Sequence, residues 1–318
     1  MPAAVNRALA SWTGRGVVAA AALLLSWLQP AVLPPPTAGP SVDRVQLMSD
    51  LRALADPRLE GRRAAAPGGL QARRYLEARY AAIGLLPAGT SGFLQPFSLG
   101  RAASSRTGAN VVGRVEGIVE GARAIVVSAH YDHLGVVNGR VFAGADDNAS
   151  GVAVLLAVAQ HLRRAPPRHL VVVAAFDAEE QGLRGAEAFV ASPPVPRERI
   201  ALNVNLDMVS RSARRELFVS GTSHAPWLAP ILDPVRARAA IAIRYGHDRP
   251  GPGGQDWTSQ SDHAAFHRAG VPFVYFGVED HADYHEPTDT VERIDPDFFG
   301  DAADAILDAV VTLDRAMP

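Results

Sequence analysis

Apolar and polar positions along this chain fall into two periods, one near 3.6 residues and one in short unbroken runs. From Val42 to Leu54 the apolar residues Val42, Val45, Leu47, Leu51 and Leu54 approximate helical spacing, and Gln71 to Ile83 reads as a second helix stopped by Gly84. Ala124 to Ala129, AIVVSA, is a short apolar run rich in β-branched residues, which predicts a buried strand. The next segment, Gly151 to Arg164, places Val152, Leu155, Leu156, Ala159 and Leu162 on one helical face. Leu170 to Phe176 predicts a second buried strand, Gly185 to Val190 a helix, Ile200 to Leu206 a third strand and Val271 to Phe276 a later one. Phe298 to Leu313 closes the pattern as an amphipathic helix. Strands alternating with helices predict a single α/β domain, with a mixed, largely parallel central sheet flanked by helices on both faces. Tyr245 to Ser261, rich in glycine and proline, predicts a loop that either lines a pocket with Trp257 or lies on the surface.

The first forty residues follow a different pattern. Arg7 and Arg15 precede a 13-residue apolar run, Gly16 to Leu28, and Gln29 to Pro40 is proline-rich. A run of that length is short for a membrane span and fits the core of a signal peptide, while the missing A-x-A cleavage site leaves an uncleaved anchor open. The expected organisation is a leader or anchor plus linker over residues 1–40 and a catalytic domain over 41–318. The expected location is outside the cytoplasm: periplasmic, secreted or held at the membrane. With 318 residues, 48% of them hydrophobic, the chain has enough apolar surface for a sizeable core. A formal net charge of -2 gives no reason to expect a nucleic-acid partner. All basic residues are arginine, which carries no functional signal. The absence of cysteine excludes disulfides, thiolate metal sites and a cysteine nucleophile.

Against this background, five short polar clusters stand next to apolar runs: His130-Tyr131-Asp132, Asp146-Asp147-Asn148, Asp177-Ala178-Glu179-Glu180, Asp207, and Tyr284-His285. Three of them come directly after predicted strands, and in open α/β sheets ligands gather at the carboxyl ends of strands. Residues far apart in sequence are thereby brought to one rim. Imidazoles and carboxylates without sulfur suit zinc, with cobalt or manganese as substitutes. Asp132 is a candidate to fix the tautomer of a ligating His130, and His133 is the weaker histidine of that cluster, expected to be structural. Asp146, Asp147 and Asn148 precede a helix start, where capping explains one of the three but not the run. Glu179 and Glu180 are adjacent and point different ways, so that one is free to bind metal while the other moves protons. His281, Asp283 and Glu286 compete with His285 on spacing alone.

These residues carry a resemblance to the M28 family of zinc aminopeptidases, the co-catalytic metallopeptidases of bacterial leucyl-aminopeptidase type. The blocks run in order from about residue 55 to 295: Leu59-Glu60-Gly61-Arg62, Asn110-Val111-Val112-Gly113, SAHYDHLG (128–135), GADDNASGVA (144–153), AFDAEEQGLRGAEAFV (175–190), NLDMV (205–209), SDHAAFHRAGVP (261–272) and YHEPTDT (284–290). The resemblance implies two zinc ions per chain, His130 and Asp207 on one, Glu180 and His285 on the other, and Asp147 bridging. It implies Glu179 as general base and then acid, Asp132 as the carboxylate orienting His130, Tyr284 as a phenol stabilising the oxyanion, and a cis peptide at Asp147–Asn148. The implied reaction is hydrolysis of the N-terminal bond of a peptide or small aminoacyl substrate. Alternatives on a related scaffold are a glutaminyl cyclase-like acyltransferase, a di-zinc carboxypeptidase or dipeptidase, and a receptor-like domain that binds without catalysis. No long segment interrupts the motifs, so no inserted domain is expected.

Overall fold

The protein is described here by a computed structural model covering residues 39–100, 106–250 and 255–318. Residues 1–38 of the leader and linker expected over 1–40, and part of the glycine-rich loop, lie outside the described residues. Among the described residues no helix is long and apolar enough to cross a membrane.

The helix α1 (Arg44–Leu54) starts where the Asp43 carboxylate accepts from the backbone N–H of Gln46 at 3.0 Å. The next, α2 (Pro67–Ile83), begins one turn before Gln71, because Pro67 in the first turn has no N–H to satisfy and a φ already suited to the helix. Gly84 ends it in the left-handed region, at φ 82°, donating to the carbonyls of Tyr80 and Ala81. Strands β1 (Leu86–Pro87) and β2 (Leu94–Ser98) both pair antiparallel with β3 (Thr107–Val115). Then follow β4 (Ala124–His130), the small hairpin β5 (Gly135–Val137) and β6 (Arg140–Phe142), and α3 (Gly151–Arg164). After β7 (Leu170–Phe176) come α4 (Arg184–Ala191), β8 (Ile200–Leu206), β9 (Glu216–Ser220) and α5 (Leu228–Arg238). The remaining elements are β10 (Ala242–Tyr245), α6 (His263–Arg268), β11 (Phe273–Gly277) and α7 (Pro296–Ala316).

The main sheet has nine strands in the order β1-β3-β7-β4-β8-β11-β9-β10, with β2 also on β3. Its centre, β7-β4-β8-β11, is parallel, while β3 joins β7 and β9 joins β11 antiparallel. The parallel centre is buried on both faces, as its unbroken apolar runs require. Along β4, Ile125, Val127 and Ala129 face a large core shared with α1, α2, α3, α5 and α7. Val126 faces a smaller core containing Phe189 of α4 and Phe266 of α6. That alternation is the two-residue period of a strand.

Several elements depart from the apolar pattern. The strand expected from Val271 starts at Phe273, because Pro272 has no N–H to give the ladder. Neither β3, with two glycines and an arginine, nor α5, with Pro230 and Pro234, carries a clean period, and only the packing of the whole domain makes them regular. The carboxyl ends of β4, β7 and β8 lie side by side, bringing His130, Asp177 and Asp207 to one rim.

Candidate metal centre

At that rim the Asp147 carboxylate stands between two groups of donors. One oxygen, Oδ1, lies 3.4 Å from Nε2 of His130, and the same nitrogen lies 3.2 Å from Oδ1 of Asp207. The other, Oδ2, lies 3.0 Å from Nε2 of His285, which is 3.4 Å from Oε2 of Glu180. Zinc–ligand bonds of 2.0–2.1 Å at tetrahedral angles put neighbouring ligand atoms about 3.3 Å apart. The donor spacings match that edge on both sides of Asp147, so the chain's own residues fit two ions. His130, Asp147 and Asp207 form one compact group of ligand atoms, and His133, Asp147 and Glu180 form another.

The loop bearing Asp147 is held from below. Asp289, from the late loop, accepts the backbone N–H groups of both Asp146 and Asp147 at 3.0 Å. Asp146 itself turns away: Oδ1 accepts from the N–H and hydroxyl of Ser210, and Oδ2 lies 3.0 Å from Nε2 of His281. Asn148 accepts from the N–H of Gly151 and donates to the carbonyl of Leu206, tying the loop to the start of α3 and the end of β8. The peptide between Asp147 and Asn148 is cis.

The adjacent glutamates face different neighbours. Glu180 turns to His285 and to His133, whose Nδ1 is 2.7 Å from Oε1. Glu179 stands on the side of His130, Asp207 and Asp262. Burial, with the charges of Asp262, Asp207 and Glu180, lifts its carboxyl well above the usual range against the opposing pull of His130. Burial alone would depress the imidazolium of His130, yet Asp207, Glu179 and Asp147 outweigh it and hold its pKa well above the ordinary value. Hydrogen bonds to Asp147 and Glu180 push His285 up to about 10, against its burial. Burial works to raise Asp147, but the surrounding histidines win and hold it well below the normal carboxylate range.

Three sequence readings meet the geometry here. Asp132 was to orient His130 through its carboxylate, but its backbone carbonyl is closer to Nδ1, at 3.2 Å against 3.8 Å for the carboxylate. The carboxylate instead accepts the N–H of Glu179 at 2.9 Å and so anchors the glutamate pair. His133, the weaker histidine of its cluster, stands against Glu180 and Asp147 in the second group. Trp257, 3% exposed, lines the site rather than the surface. Tyr284, 36% exposed, stacks on His285 with ring centroids 4.0 Å apart. Two of the three competing residues are occupied elsewhere: His281 by Asp146, and Asp283 by Arg211 at 2.7 Å.

Spacing gave no signal for two further residues. Asp262, fully buried at the start of α6, has no hydrogen-bond partner on either oxygen, and burial pushes it up to about 7. Arg62 is fully buried and donates to the carbonyls of Leu54, Tyr131, Ala143 and Gly144. Its place in the block Leu59–Arg62 was the one available hint. Above the donors opens a hollow of about 290 Å³, with Leu183, Met208, Trp257, Tyr275, Val278 and Tyr284 among its walls. A larger one of about 510 Å³, lined by Arg211, Arg214 and Glu279, shares Asp280 with it.

A parallel-centred α/β fold with acid and imidazole donors at its strand ends defines a metal-binding protein of the zinc exopeptidase class. The chain belongs to Peptidase family M28, whose pattern matches residues 110–310. It is similar to the aminopeptidase YwaD of Bacillus subtilis (strain 168), 30% identical over 225 residues, covering 66% of this chain and 46% of that relative. Thus the chain spans about half the length of that curated relative. Among solved structures, BSAP, a zinc aminopeptidase from Bacillus subtilis, superposes with a TM-score of 0.68 at 17% identity, over 85% of this chain and 95% of that one. A glutaminyl cyclase from Bacteroides thetaiotaomicron superposes equally, at 0.68 and 18% identity, over 86% and 99%. At such identities these two establish the shared fold.

Proposed function

We propose that the chain is a di-zinc aminopeptidase that hydrolyses the N-terminal bond of peptides or small aminoacyl substrates. The observation that carries this reading is the placement of the two Asp147 oxygens against two separate donor groups, with Glu179 beside them. His130 and Asp207 would hold one ion, Glu180 and His285 the other, and Asp147 both. Ions bound there would lower the pKa of a water and polarise the substrate carbonyl. Glu179 takes the proton from the attacking water and returns it to the leaving amine nitrogen as the C–N bond breaks. Its raised pKa suits the return step. The phenol of Tyr284 donates a hydrogen bond to the carbonyl oxygen as negative charge develops there. Leu183, Met208, Trp257 and Val278 form an apolar wall suited to an apolar side chain. The N-terminal run Gly16–Leu28 is read with this activity as an export signal or anchor.

An acyltransferase of glutaminyl cyclase type is the competing reading, since the fold serves both. Two donor groups, where a one-zinc enzyme needs a single one, favour hydrolysis. The test is release of the aniline from aminoacyl-anilides and from their N-acetylated forms, before and after chelation, together with zinc content per chain. Expected are two zincs, turnover of the free-amine substrates alone, and loss on chelation. Glu179→Gln should abolish turnover and keep both ions. Activity that survives both full demetallation and Glu179→Gln would refute the proposal, as would trimming of peptides from the carboxyl end.

A further inference from the structure

His133 makes a short contact to a residue of the donor set. Its Nδ1 is 2.7 Å from Oε1 of Glu180 and 3.7 Å from Oδ2 of Asp147. Ligand atoms on one zinc stand about 3.3 Å apart, and around His285 the separations are 3.0 and 3.4 Å. A separation of 2.7 Å is instead that of a charge-assisted N–H···O⁻ hydrogen bond. The contact is also to the other oxygen: Oε1 meets His133, while Oε2 faces His285. The ring is fixed. It is 1% exposed, and a Cβ on Gly144 would stand 2.5 Å from its Cδ2 and 2.6 Å from its Cγ. The far nitrogen, Nε2, is buried without a partner. A neutral ring protonated on Nδ1 uses its one proton in the bond to Glu180, whereas a ring ligating through Nδ1 would strand an N–H at Nε2.

We propose that His133 is a positioning residue for the second ion: it donates Nδ1–H to Oε1 of Glu180 and thereby turns Oε2 to the metal. The inference rests on the two-ion reading and assigns a role that reading does not need. The two halves of the centre are then oriented differently, the first through a carbonyl on the imidazole of His130, the second through an imidazole on a carboxylate. Removing such an orienting partner typically costs 10–100-fold in metal affinity.

The experiment is calorimetric zinc titration of the chelator-stripped full chain, for wild type, His133→Ala and His133→Asn, with X-ray absorption on the two-zinc wild type. Asparagine keeps an N–H donor near the position of Nδ1. Expected is a loss of about 10–100-fold at one of two zinc sites in His133→Ala, little change at the other, and recovery of most of it in His133→Asn. The absorption spectrum should count two imidazoles over two zincs. Zinc affinities in His133→Ala equal to wild type, or an equal loss at both sites, overturn the inference. So does a count of three imidazoles, which makes His133 a ligand and can be read without any variant. A wild type that binds fewer than two zincs fails differently, removing the two-ion reading itself.

Discussion

Replacing Arg62 with methionine keeps much of the side-chain volume and removes the guanidinium. That group donates at 2.5–2.9 Å to four carbonyls: Leu54 at the end of α1, Tyr131 between His130 and Asp132, and Ala143 and Gly144 ahead of Asp147. Burial lowers its pKa to about 10, opposed by the charges of Asp147, Asp289, Asp132 and Glu180, so it is protonated at neutral pH. Each buried acceptor left without its donor costs about 1–2 kcal/mol, giving about 4–8 kcal/mol for the four. Releasing the guanidinium from burial returns several kcal/mol. The net expectation is a destabilisation of about 1–5 kcal/mol, a sizeable part of the roughly 5–15 kcal/mol typical of a domain. Urea unfolding of the chelator-treated chain measures it as a lower midpoint at unchanged slope. Because three of the four carbonyls, those of Tyr131, Ala143 and Gly144, belong to the two segments that carry His130 and Asp147, zinc affinity should fall as well. A loss below about 1 kcal/mol, in the range of ordinary surface substitutions, would refute the reasoning. It would mean that the carbonyls find other donors and that Arg62 does not brace the centre.

Gly144→Ala should destabilise the chain and weaken zinc binding, because φ there is 59° and the added Cβ would meet the carbonyl oxygen of Asp147 at 2.1 Å; thermal melts and zinc titration check both, and a wild-type melt would refute it. His285→Ala should keep one zinc of two by metal analysis. In the metal-stripped chain, His285 is raised from an ordinary 6.5 to about 10, so its stabilising contribution is fully present below pH 6.5 and is lost as pH rises through 10. Stability of the stripped chain measured from pH 6 to 10 should therefore fall with rising pH, and His285→Asn should flatten that fall. The same protonation predicts proton release on zinc binding at pH 7.5, read by calorimetry in buffers of different ionisation enthalpy.

How much of this was legible in the sequence depends on whether a signal is local. The strands β4, β7 and β8 are mainly apolar runs with the same ends in sequence and structure, give or take a residue, because both faces are buried and even their polar members Ser128, Asn203 and Asn205 pair inside the sheet. His130, Asp177 and Asp207 next to those ends were readable for the same reason. The choice between Asp146 and Asp147 was not. It depends on Ser210 and His281 engaging Asp146, and on Asp289 fixing the backbone of both, contacts spanning 64 to 143 residues. His285 against His281 is decided by those same contacts. The contacts of His133 and Arg62 left no local trace, because all but the Arg62 bond to Leu54 reach partners 47 to 82 residues away, which no periodicity records. Asp262 sits in a short helix start where an acid ordinarily caps, and only its unpartnered oxygens mark it out.

The electrostatics of the rim explain why such a constellation is hard to read as anything but a cation site. Asp132, Asp147, Glu179, Glu180, Asp207 and Asp262 crowd one end of the sheet, and among the described residues Arg62 is the one fully buried guanidinium. Carboxylates packed this way cannot all ionise without a compensating charge. Glu179, Asp132, Asp207 and Asp262 are accordingly lifted, chiefly by burial. His130 and His285 are held toward their charged forms by the acids around them. Protons on those groups supply positive charge at the positions where two divalent ions would supply it better. Ion binding then becomes an exchange of protons for metal, stronger as pH rises. It also returns Glu179 toward the deprotonated form that a general base needs, which couples loading of the centre to readiness for the proton transfer proposed for it.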